Sequence, residues 1–497
     1  MFNLKYIIIG CVLTFYVLGC SPNISDTEFK NVLFITIDDM RPTLGCYGDQ
    51  RAITPNLDSL AKMGTVFNKA YCQSAVCNPS RTSFLTGLRP DETGVVNLVS
   101  HFREKKTDIY TLPQIFKEYG YESFGVGKVF HGKKRTQDTL SWTIPSYKSI
   151  GIKSEQYYLK ENKKFGKKAS SWEMADVKDN EYLDGEFTDV AIQHLKNLSK
   201  SAKPFFLAVG FLKPHLPFTA PKKYFDLYDR EKVYSPQFKG RPKEAPDLAF
   251  HNSEELRGYT DIPDLGEISV EKEKELWHAY YACVSYVDTQ VGKIIKELKA
   301  HHLDNNTIIV VVGDHGYHLG EQGVWCKSTN YELAARVPLL IYCPWIESQS
   351  DNVEEIVELI DIYPTVTELC GIDSRHKLSG RSLKGLMKGN LEYKEDWNDV
   401  AFNQFIRPYE SLFKVENEIE NIGYSVRVKD YRYVGWFDED TDILYEEELY
   451  HLDQGDHFIE KLNLAEDPMY REIAKILQKR ILAYKKMNYL EAYGKVN

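Results

Sequence analysis

Two short apolar runs constrain the fold of this 497-residue chain more than any other feature. Asn31 to Ile37 and Asn306 to Gly313 carry no charge and are rich in branched residues, a pattern typical of strands buried on both faces of a parallel sheet. Helical apolar spacing at 187–198 and 271–300 separates them. Strands that alternate with helices predict a layered α/β fold around a mostly parallel central sheet.

The same patterns divide the chain into a large unit over 31–394 and a smaller C-terminal unit over 395–497. The length is ample for two cores, because single cores usually stop growing near about 250–300 residues. In the smaller unit, Tyr424 to Trp436 alternates polar and apolar residues, which predicts antiparallel strands with one face in water. Further predicted elements are strands at 122–128 and 204–210, helices at 56–64, 112–120 and 471–486, and a surface excursion at 132–182.

The first 20 residues predict an export signal. Lys5 precedes an apolar run from Tyr6 to Leu18, which is too short to span a membrane comfortably as a mature helix. The run leads into Gly19 and Cys20 and resembles a bacterial lipobox, in which the chain is cut before the cysteine and that cysteine is lipidated. We therefore expect an exported cell-envelope lipoprotein anchored to the membrane through Cys20, with 21–30 as a polar tether. An ordinary cleaved signal peptide is the alternative.

Charge and cysteine spacing limit the partners of this chain. A formal net charge of −10 argues against a nucleic-acid partner, because phosphate backbones are bound by broad Lys/Arg surfaces. A small anion can still bind in a local basic pocket. Six cysteines, which are scattered without CxxC pairs, argue against zinc-ribbon and thioredoxin-like sites and do not reveal any disulfide pairing: Cys46, Cys72, Cys283, Cys326, Cys343 and Cys370.

Carboxylates follow the two apolar runs directly. Asp38 and Asp39 come after the first run, and Asp314 with His315 comes after the second. The carboxyl ends of parallel strands meet at one edge of a sheet, so these side chains are expected to converge. Three carboxylates would repel one another without a cation, and carboxylate oxygens favour Ca²⁺ or Mg²⁺ over zinc. For Asp38 and Asp39 alone, a turn or helix cap is the alternative.

The segment from Ala75 to Gly87 combines a cysteine, a rigid proline and a cation at fixed spacing, as Cys77, Pro79 and Arg81. A cysteine in apolar surroundings is by itself often a small core residue. Cys-x-Pro-Ser-Arg followed by Thr-Gly resembles the signature of the type I sulfatases, in which this cysteine is oxidised after translation to an aldehyde, formylglycine. Other segments resemble successive active-site motifs of that family, in the family's order: Ile37-Asp38-Asp39, Gly127 to His131, Lys213-Pro214-His215, Gly313 to Gly316 and Trp325-Cys326-Lys327.

The resemblance implies an alkaline-phosphatase-like layered sandwich with a smaller C-terminal antiparallel sheet. It also implies one Ca²⁺ ion per chain and a formylglycine made from Cys77 by a formylglycine-generating enzyme. The implied metal ligands are Asp38, Asp39, Asp314, His315 and the formylglycine at position 77. Arg81 would steady that residue, Lys128 and Lys327 would hold sulfate oxygens, and His131 and His215 would transfer protons.

The roles implied for these residues are chemically coherent. One hydroxyl of the hydrated aldehyde would attack sulfur, and deprotonation of the other, by His131, would expel sulfate and restore the aldehyde. His215 would protonate the sugar oxygen as it leaves, although either histidine could instead only orient the sulfate. Taken singly, lysines are commonly surface residues and histidines commonly structural. The ordered set of motifs is what indicates a site.

Three stretches indicate the substrate class: Phe206 to Gly210, Trp277 to Tyr280 and Cys283 to Gly292 are similar to the iduronate-2-sulfatase branch of the family. This similarity favours a 2-O-sulfated uronate at the end of a glycosaminoglycan chain. A sulfated sugar of an algal polysaccharide such as ulvan is the alternative. We expect specificity residues in the 132–182 excursion and in the C-terminal region, including Asn403, Gln404 and Arg407, and we expect Asp288 to be structural.

Two other functions stay open at this point. A phosphatase or phosphodiesterase of the alkaline phosphatase superfamily would place Ser or Thr at the nucleophile position and hold two zinc ions. A non-catalytic lipoprotein that binds sulfated glycans would retain an unconverted thiol at Cys77.

Overall fold

The computed structural model describes residues 30–132, 134–148, 153–165, 168–236, 238–347, 349–414, 418–452, 459–487 and 492–493. The predicted signal peptide with its Cys20, and all of the predicted tether except residue 30, lie outside these ranges. Across the described ranges, no helix is both long enough and apolar enough to cross a membrane.

Strands and helices alternate through the first part of the chain, as the sequence predicted. The strands are β1 (Asn31–Ile37), β2 (Thr65–Tyr71), β3 (Glu122–Gly127), β4 (Trp172–Ala175), β5 (Phe205–Phe211), β6 (Phe218–Pro221), β7 (Thr307–Gly313), β8 (His318–Leu319), β9 (Trp325–Cys326), β10 (Arg336–Val337), β11 (Leu339–Tyr342), β12 (Asn352–Glu358), β13 (Val400–Arg407), β14 (Asn421–Val428), β15 (Tyr431–Asp438) and β16 (Leu444–His451).

The α-helices of the described ranges run from single turns to the 31 residues of α10. They are α1 (Pro55–Ala61), α2 (Cys77–Thr86), α3 (Pro90–Thr93), α4 (Leu112–Glu118), α5 (Lys160–Lys163), α6 (Leu183–Leu198), α7 (Lys222–Phe225), α8 (Arg230–Val233), α9 (Glu254–Arg257), α10 (Val270–Ala300), α11 (Glu332–Ala335), α12 (Ile362–Cys370), α13 (Lys384–Met387), α14 (Leu391–Glu395) and α15 (Arg471–Lys485).

An eight-stranded sheet forms the centre of the molecule, in the order β10-β2-β11-β7-β1-β5-β3, with β12 also paired to β2. β1 lies between β5 and β7 and runs parallel to both. β3 continues the parallel set beside β5, whereas β11 is antiparallel to both β7 and β2. The predicted mostly parallel sheet is therefore confirmed, and the ends of β1, β3, β5 and β7 lie at one edge.

Helices cover both faces of this sheet, so β1 is buried on both sides. Leu33, Ile35 and Ile37 pack into one hydrophobic cluster with α6 and α10, while Val32 and Phe34 pack into a second cluster with α2, α4 and α12. The alternation follows from the two-residue period of a strand. These two layers of helices explain why β1 and β7 have no polar face, and they complete the α/β sandwich.

The C-terminal part forms a four-stranded antiparallel sheet, in the order β13-β14-β15-β16, with α15 packed on β14 and β15. The expectation that one face of these strands lies in water is wrong. Residues 422–427 and 432–437 are buried throughout. Arg427 and Arg432 point away from α15 into a buried ion-pair network, which uses the polar residues of the alternating pattern for contact between the two sheets.

Glu332, at the start of α11, holds the two sheets together in that network. Its carboxylate accepts hydrogen bonds from Arg432 at 2.6 Å, Arg427 at 3.3 Å and the Tyr71 hydroxyl at 2.7 Å. Arg432 also pairs with Glu460 at 3.0 Å. All five groups are buried, so the charges are compensated by one another rather than by water.

Replacement of Glu332 by alanine is expected to lower the free energy of unfolding by about 3–5 kcal/mol, because it leaves buried guanidinium charge without a full partner. Urea unfolding followed by circular dichroism measures this change. Replacement of the exposed Glu347 by alanine is the matched control and is expected to stay within about 0.5 kcal/mol of the unmodified protein. Equal effects of the two replacements would contradict the prediction.

Candidate active site

Carboxylates at the ends of β1 and β7 meet as predicted. The Asp314 backbone N–H donates to the Ile37 carbonyl at 3.2 Å, and the Asp39 N–H donates to the Asp314 carboxylate at 3.1 Å. Asp38, Asp39 and Asp314 are completely buried. Asp39 has a φ of 58°, a conformation that Asp tolerates better than most residues.

Cys77 is the first residue of α2 and lies beside these carboxylates. Pro79 is tolerated in the first turn of this helix because no backbone donor is needed there, and Gly87 ends the helix in the left-handed region with a φ of 68°. The Cys77 Sγ lies 3.2 Å from His315 Nε2 and 3.5 Å from the Lys128 ammonium. The sequence motif therefore places Cys77 at the sheet edge, where the strand-end carboxylates converge.

Arg81, one turn further along α2, connects the carboxylates to each other. Its Nε donates to Asp314 at 2.9 Å, and its Nη2 donates to Asp38 at 3.1 Å. A third hydrogen bond, of 3.0 Å, reaches the Val129 carbonyl, so that Arg81 also holds the segment after β3. The buried guanidinium thus fixes the positions of α2, β1, β3 and β7 around Cys77.

Electrostatic compensation keeps the carboxylate of Asp38 ionised despite burial. Burial alone would raise its pKa, but the nearby charges, first Lys128 and then His215 and Arg81, lower the pKa of Asp38 well below its usual value. Burial and the negative charge of Asp38 raise the pKa of the Cys77 thiol well above its ordinary value. The encoded cysteine is therefore held as a thiol, which is a weaker nucleophile than a thiolate.

Four of the five residues predicted to bind metal form one cluster of donor atoms. Asp38, Asp39, Cys77 and His315 each offer an atom within 4.8 Å of the others. Asp314 lies beside this cluster, with its Oδ2 3.5 Å from His315 Nε2. His315 Nδ1 is 3.0 Å from the Gly316 carbonyl, an arrangement in which Nδ1–H donates and Nε2 faces the cluster. These residues fit a divalent cation.

Glu255, in α9, joins a second group of donors with Asp39 and His215. It lies 3.0 Å from His215 Nε2 and 3.1 Å from the Lys327 ammonium, which also contacts Asp39 at 2.8 Å. Burial opposes ionisation of Glu255, but Lys327 and His215 hold its pKa well below the usual value. A lysine ammonium therefore already supplies positive charge to this second group, which argues against a second metal ion there.

A cavity of about 630 Å³ opens onto these groups. Its volume is in the range of sites that hold a small ligand. Asp39, Arg81, Asp314 and His315 lie behind the lining and support it. Six of the residues predicted for the site line it: Asp38, Cys77, Lys128, His131, His215 and Lys327.

The rest of the cavity wall was missed by sequence reasoning. Glu254, Glu255, Gln156 and Lys168 add polar groups, and an apolar side carries Val76, Leu98, Leu212, Tyr409, Leu412 and Phe413. Apart from Val76, which directly precedes Cys77 in the signature segment, no motif or periodicity marks these residues. The 132–182 excursion does reach the cavity as expected, through Gln156 and Lys168.

Three C-terminal candidates for specificity are placed elsewhere. Asn403 donates to Asn330 at 2.9 Å, Gln404 donates to Asp91 at 2.7 Å, and Arg407 bonds the carbonyls of Leu248 and Ala249. All three are buried and none lines the cavity. The expectation for them is wrong because these buried side chains of β13 form hydrogen bonds with neighbouring loops and with α3 instead of facing the cavity. The following segment, with Tyr409 and Phe413, contacts the cavity instead.

Asp184, at the start of α6, fixes the loop that carries His215. Its carboxylate accepts the backbone N–H groups of Leu212 and Lys213, each at 2.8 Å. The Lys213 ammonium donates in turn to the His215 carbonyl at 2.8 Å. Burial raises the pKa of Asp184 to about 6, against the opposing effect of the Lys213 charge.

Because the folded-state pKa of Asp184 exceeds the usual 3.8, this group contributes stability at low pH that is lost as pH rises through about 6. Replacement of Asp184 by asparagine is expected to remove this pH dependence. The free energy of unfolding of the variant, measured relative to that of the unmodified protein, is therefore expected to rise by up to about 3 kcal/mol from pH 4 to pH 7. Urea unfolding at both pH values measures it. The exposed Asp264→Asn protein is the control, and an unchanged pH slope in Asp184→Asn would contradict the prediction.

A layered α/β sandwich with a buried cysteine, carboxylates and lysines at one sheet edge defines the class of this protein. The model of the Sulfatase family matches residues 30–372, and that of the N-sulphoglucosamine sulphohydrolase C-terminal region matches 320–487. The chain belongs to the sulfatase family and is a sulfuric ester hydrolase. Its alkaline-phosphatase-like fold, predicted from the resemblance, is confirmed.

Among individual proteins, the chain is similar to iduronate 2-sulfatase of Mus musculus, with 35% identity over 83% of this chain and 85% of that protein. It is 30% identical to a sulfatase of Formosa agariphila over 83% of this chain and 80% of that protein. A phosphonate monoester hydrolase from Silicibacter pomeroyi shares the fold, with a TM-score of 0.73 and 21% identity, covering 92% of this chain and 96% of that one.

Proposed function

We propose that this sulfatase removes the 2-O-sulfate of a uronate at the end of a sulfated oligosaccharide, through a formylglycine made from Cys77. The observation that carries the proposal is the position of Cys77, which belongs to a buried cluster of carboxylates and an imidazole, lies 3.5 Å from the Lys128 ammonium and lines the same cavity as Lys327. Sulfate esters are the substrates of the family to which the chain belongs.

The side chains around Cys77 suit a sulfate ester, which carries its negative charge on the oxygens bound to sulfur. Lys128 and Lys327 bring two ammonium groups to the cavity, where they neutralise the peripheral sulfate oxygens as charge shifts in the transition state. His215, which faces the cavity and is held by Glu255, protonates the sugar oxygen that leaves. His131 lines the same cavity and removes the proton that restores the aldehyde.

Calcium is the cation proposed for the cluster of Asp38, Asp39, Cys77 and His315, with Asp314 beside it. Buried carboxylate oxygens are the ligands that Ca²⁺ prefers. When bound, it would supply positive charge to the oxygens of the sulfate. Arg81 donates to both Asp38 and Asp314 and so fixes the orientation of these two carboxylates.

A uronate is proposed as the sugar because of the similarity to iduronate 2-sulfatase, whose name states its substrate. The cavity volume of about 630 Å³ is in the range that holds a small ligand such as a sugar residue. Export of the chain and lipidation at Cys20 are part of the proposal, because both would bring the enzyme to extracellular polysaccharide, and a formylglycine-generating enzyme is its required partner.

Assays on a panel of defined oligosaccharides test the proposal. Release of sulfate from a terminal 2-sulfated uronate, with the desulfated sugar identified, is the expected result. Preference for a sulfated algal sugar, such as that of ulvan, would overturn the sugar assignment alone. Phosphate ester cleavage with two bound zinc ions, or tight glycan binding with an intact thiol at residue 77 in a host that makes formylglycine, would overturn the proposed chemistry.

A further inference from the structure

Lys168 lines the cavity and belongs to a segment that hydrogen bonds hold in position. The Ala169 carbonyl accepts the backbone N–H of Thr260 at 2.8 Å, and Asp261 accepts the Ser171 backbone N–H at 2.7 Å and its hydroxyl at 2.8 Å. The 168–171 segment is therefore attached to the chain that follows α9. Its first residue, Lys168, stands at the cavity wall on the same side as Glu255.

Contacts with neighbouring groups fix the conformation of the Lys168 side chain. Its ammonium lies 5.1 Å from the centre of the Tyr259 ring and donates to the Glu255 carbonyl. A Cβ atom at Gly258 would come within 2.8 Å of both Cδ and Nζ of Lys168, so the absence of a side chain at residue 258 lets the lysine lie against the backbone. Packing thus orders the lysine before any ligand arrives.

The three lysines that line the cavity differ in their ionic partners. Lys128 pairs with Asp38, and Lys327 pairs with Asp39 and Glu255. Within the described ranges, no carboxylate lies within ion-pair distance of Lys168, and its recorded polar partner is a carbonyl. An ammonium carries three donors. The Glu255 carboxylate also interacts electrostatically with the Lys168 charge, but with one hydrogen bond to a carbonyl the ammonium keeps donors for a ligand in the cavity.

We propose that Lys168 binds a second anionic group of the substrate, a carboxylate or another sulfate, and thereby selects acidic sugars over neutral ones. This inference rests on the proposed function. Lys128 lies 3.5 Å from the Cys77 Sγ and Lys327 pairs with Asp39 of the carboxylate cluster, so both act on the sulfate that is cleaved, whereas Lys168 donates to the backbone of α9. A third lysine on the cavity wall, besides the two that act on the cleaved sulfate, matches a sugar with a second negative group, because complementary charge favours the matching ligand.

The test compares sugars that differ only in the second group. One pair is a 2-sulfated uronate and its carboxyl-reduced counterpart; the other is a disulfated and a monosulfated neutral sugar. Lys168→Met is expected to lower the preference in kcat/KM for the acidic member by about 10- to 100-fold, the usual size of a charged hydrogen bond. The pair that loses its preference identifies the anionic group.

Gly258→Ala displaces the lysine without removing its charge, and it is expected to reduce the same preference by a smaller factor. Lys164→Met, on the same excursion but exposed, is the matched control and is expected to leave the preference at its original value. If Lys168→Met changes kcat/KM by the same factor for both members of each pair, the lysine has a structural role only and the inference is overturned.

Binding measurements test this inference independently of the proposed catalytic reaction. Dissociation constants for each sugar pair, measured by calorimetry on Cys77→Ala protein with and without Lys168→Met, require no turnover. An acidic preference in binding that disappears with Lys168→Met supports the inference even if the enzyme cleaves none of these esters, an outcome that would count against the proposed function. Equal binding of both members in Cys77→Ala protein would overturn the inference.

Discussion

Replacement of Cys77 by alanine is expected to lower kcat/KM for sulfate ester hydrolysis by about 10⁴-fold or more, since loss of a covalent nucleophile is among the most damaging changes to an enzyme. Residue 77 is the position where the carboxylate and imidazole cluster meets the Lys128 ammonium, so under the proposed mechanism a methyl group there leaves the binding groups in place and removes the reacting atom. Steady-state kinetics on the same substrate measure the loss.

Mass spectrometry of the peptide that contains residue 77 gives the companion measurement. Conversion to formylglycine removes sulfur and two hydrogens and adds one oxygen, and active preparations are expected to carry that change. Cys46→Ala is the matched control, because Cys46 is half-buried and lies away from the cavity, and we expect it to retain activity. Full activity with an unmodified thiol at Cys77 would refute the formylglycine mechanism.

Removal of divalent metal is expected to lower activity by about 10³-fold or more. It is also expected to lower the melting temperature of the protein. The metal would neutralise carboxylates that are buried against one another, so its loss affects both the sulfate site and the fold. At a calcium concentration 100 times its dissociation constant, bound ion stabilises the folded state by about 2.7 kcal/mol. Chelation followed by addition of Ca²⁺, Mg²⁺ or Zn²⁺, with activity and thermal unfolding as readouts, measures both effects.

Asp39→Ala provides the matching variant, because Asp39 belongs to both donor groups. Its thermal unfolding is expected to respond weakly or not at all to calcium, while the exposed Asp440→Ala protein keeps the full response. Metal content by mass spectrometry is expected to be one calcium per chain. Two zinc ions, or an Asp39→Ala protein that calcium stabilises as strongly as the unmodified one, would rule out the proposed site.

The sequence predicted those helices and strands whose apolar periodicity lies within their own residues. The strand over Asn31–Ile37 is correct at both ends, and the long helix predicted at 271–300 begins one residue earlier, at Val270. The predicted helix at 187–198 is extended at its start to Leu183. Such patterns are readable because burial on a helix or strand leaves a period in the sequence of the element itself.

The polar pattern of the C-terminal strands was misread for the opposite reason. Alternation in 424–436 shows that polar side chains share one face, but whether that face meets water or another sheet depends on a partner distant in the chain. Arg432 is buried because Glu332 and Glu460 lie opposite it. The same holds for Asn403 and Gln404, whose partners Asn330 and Asp91 are 73 and 313 residues away.

The sequence by itself determined the α/β class, the convergence of Asp38, Asp39 and Asp314, and the position of Cys77, because each follows from a local motif or from the edge that parallel strands share. Only the tertiary structure decided which further groups surround that edge. Glu255 contacts His215 and Lys327, and Lys168 and Phe413 both line the cavity, through contacts between segments far apart in the chain. A single exposed or half-buried residue produces no periodic pattern in the sequence, so its position in the site depends on how distant segments pack.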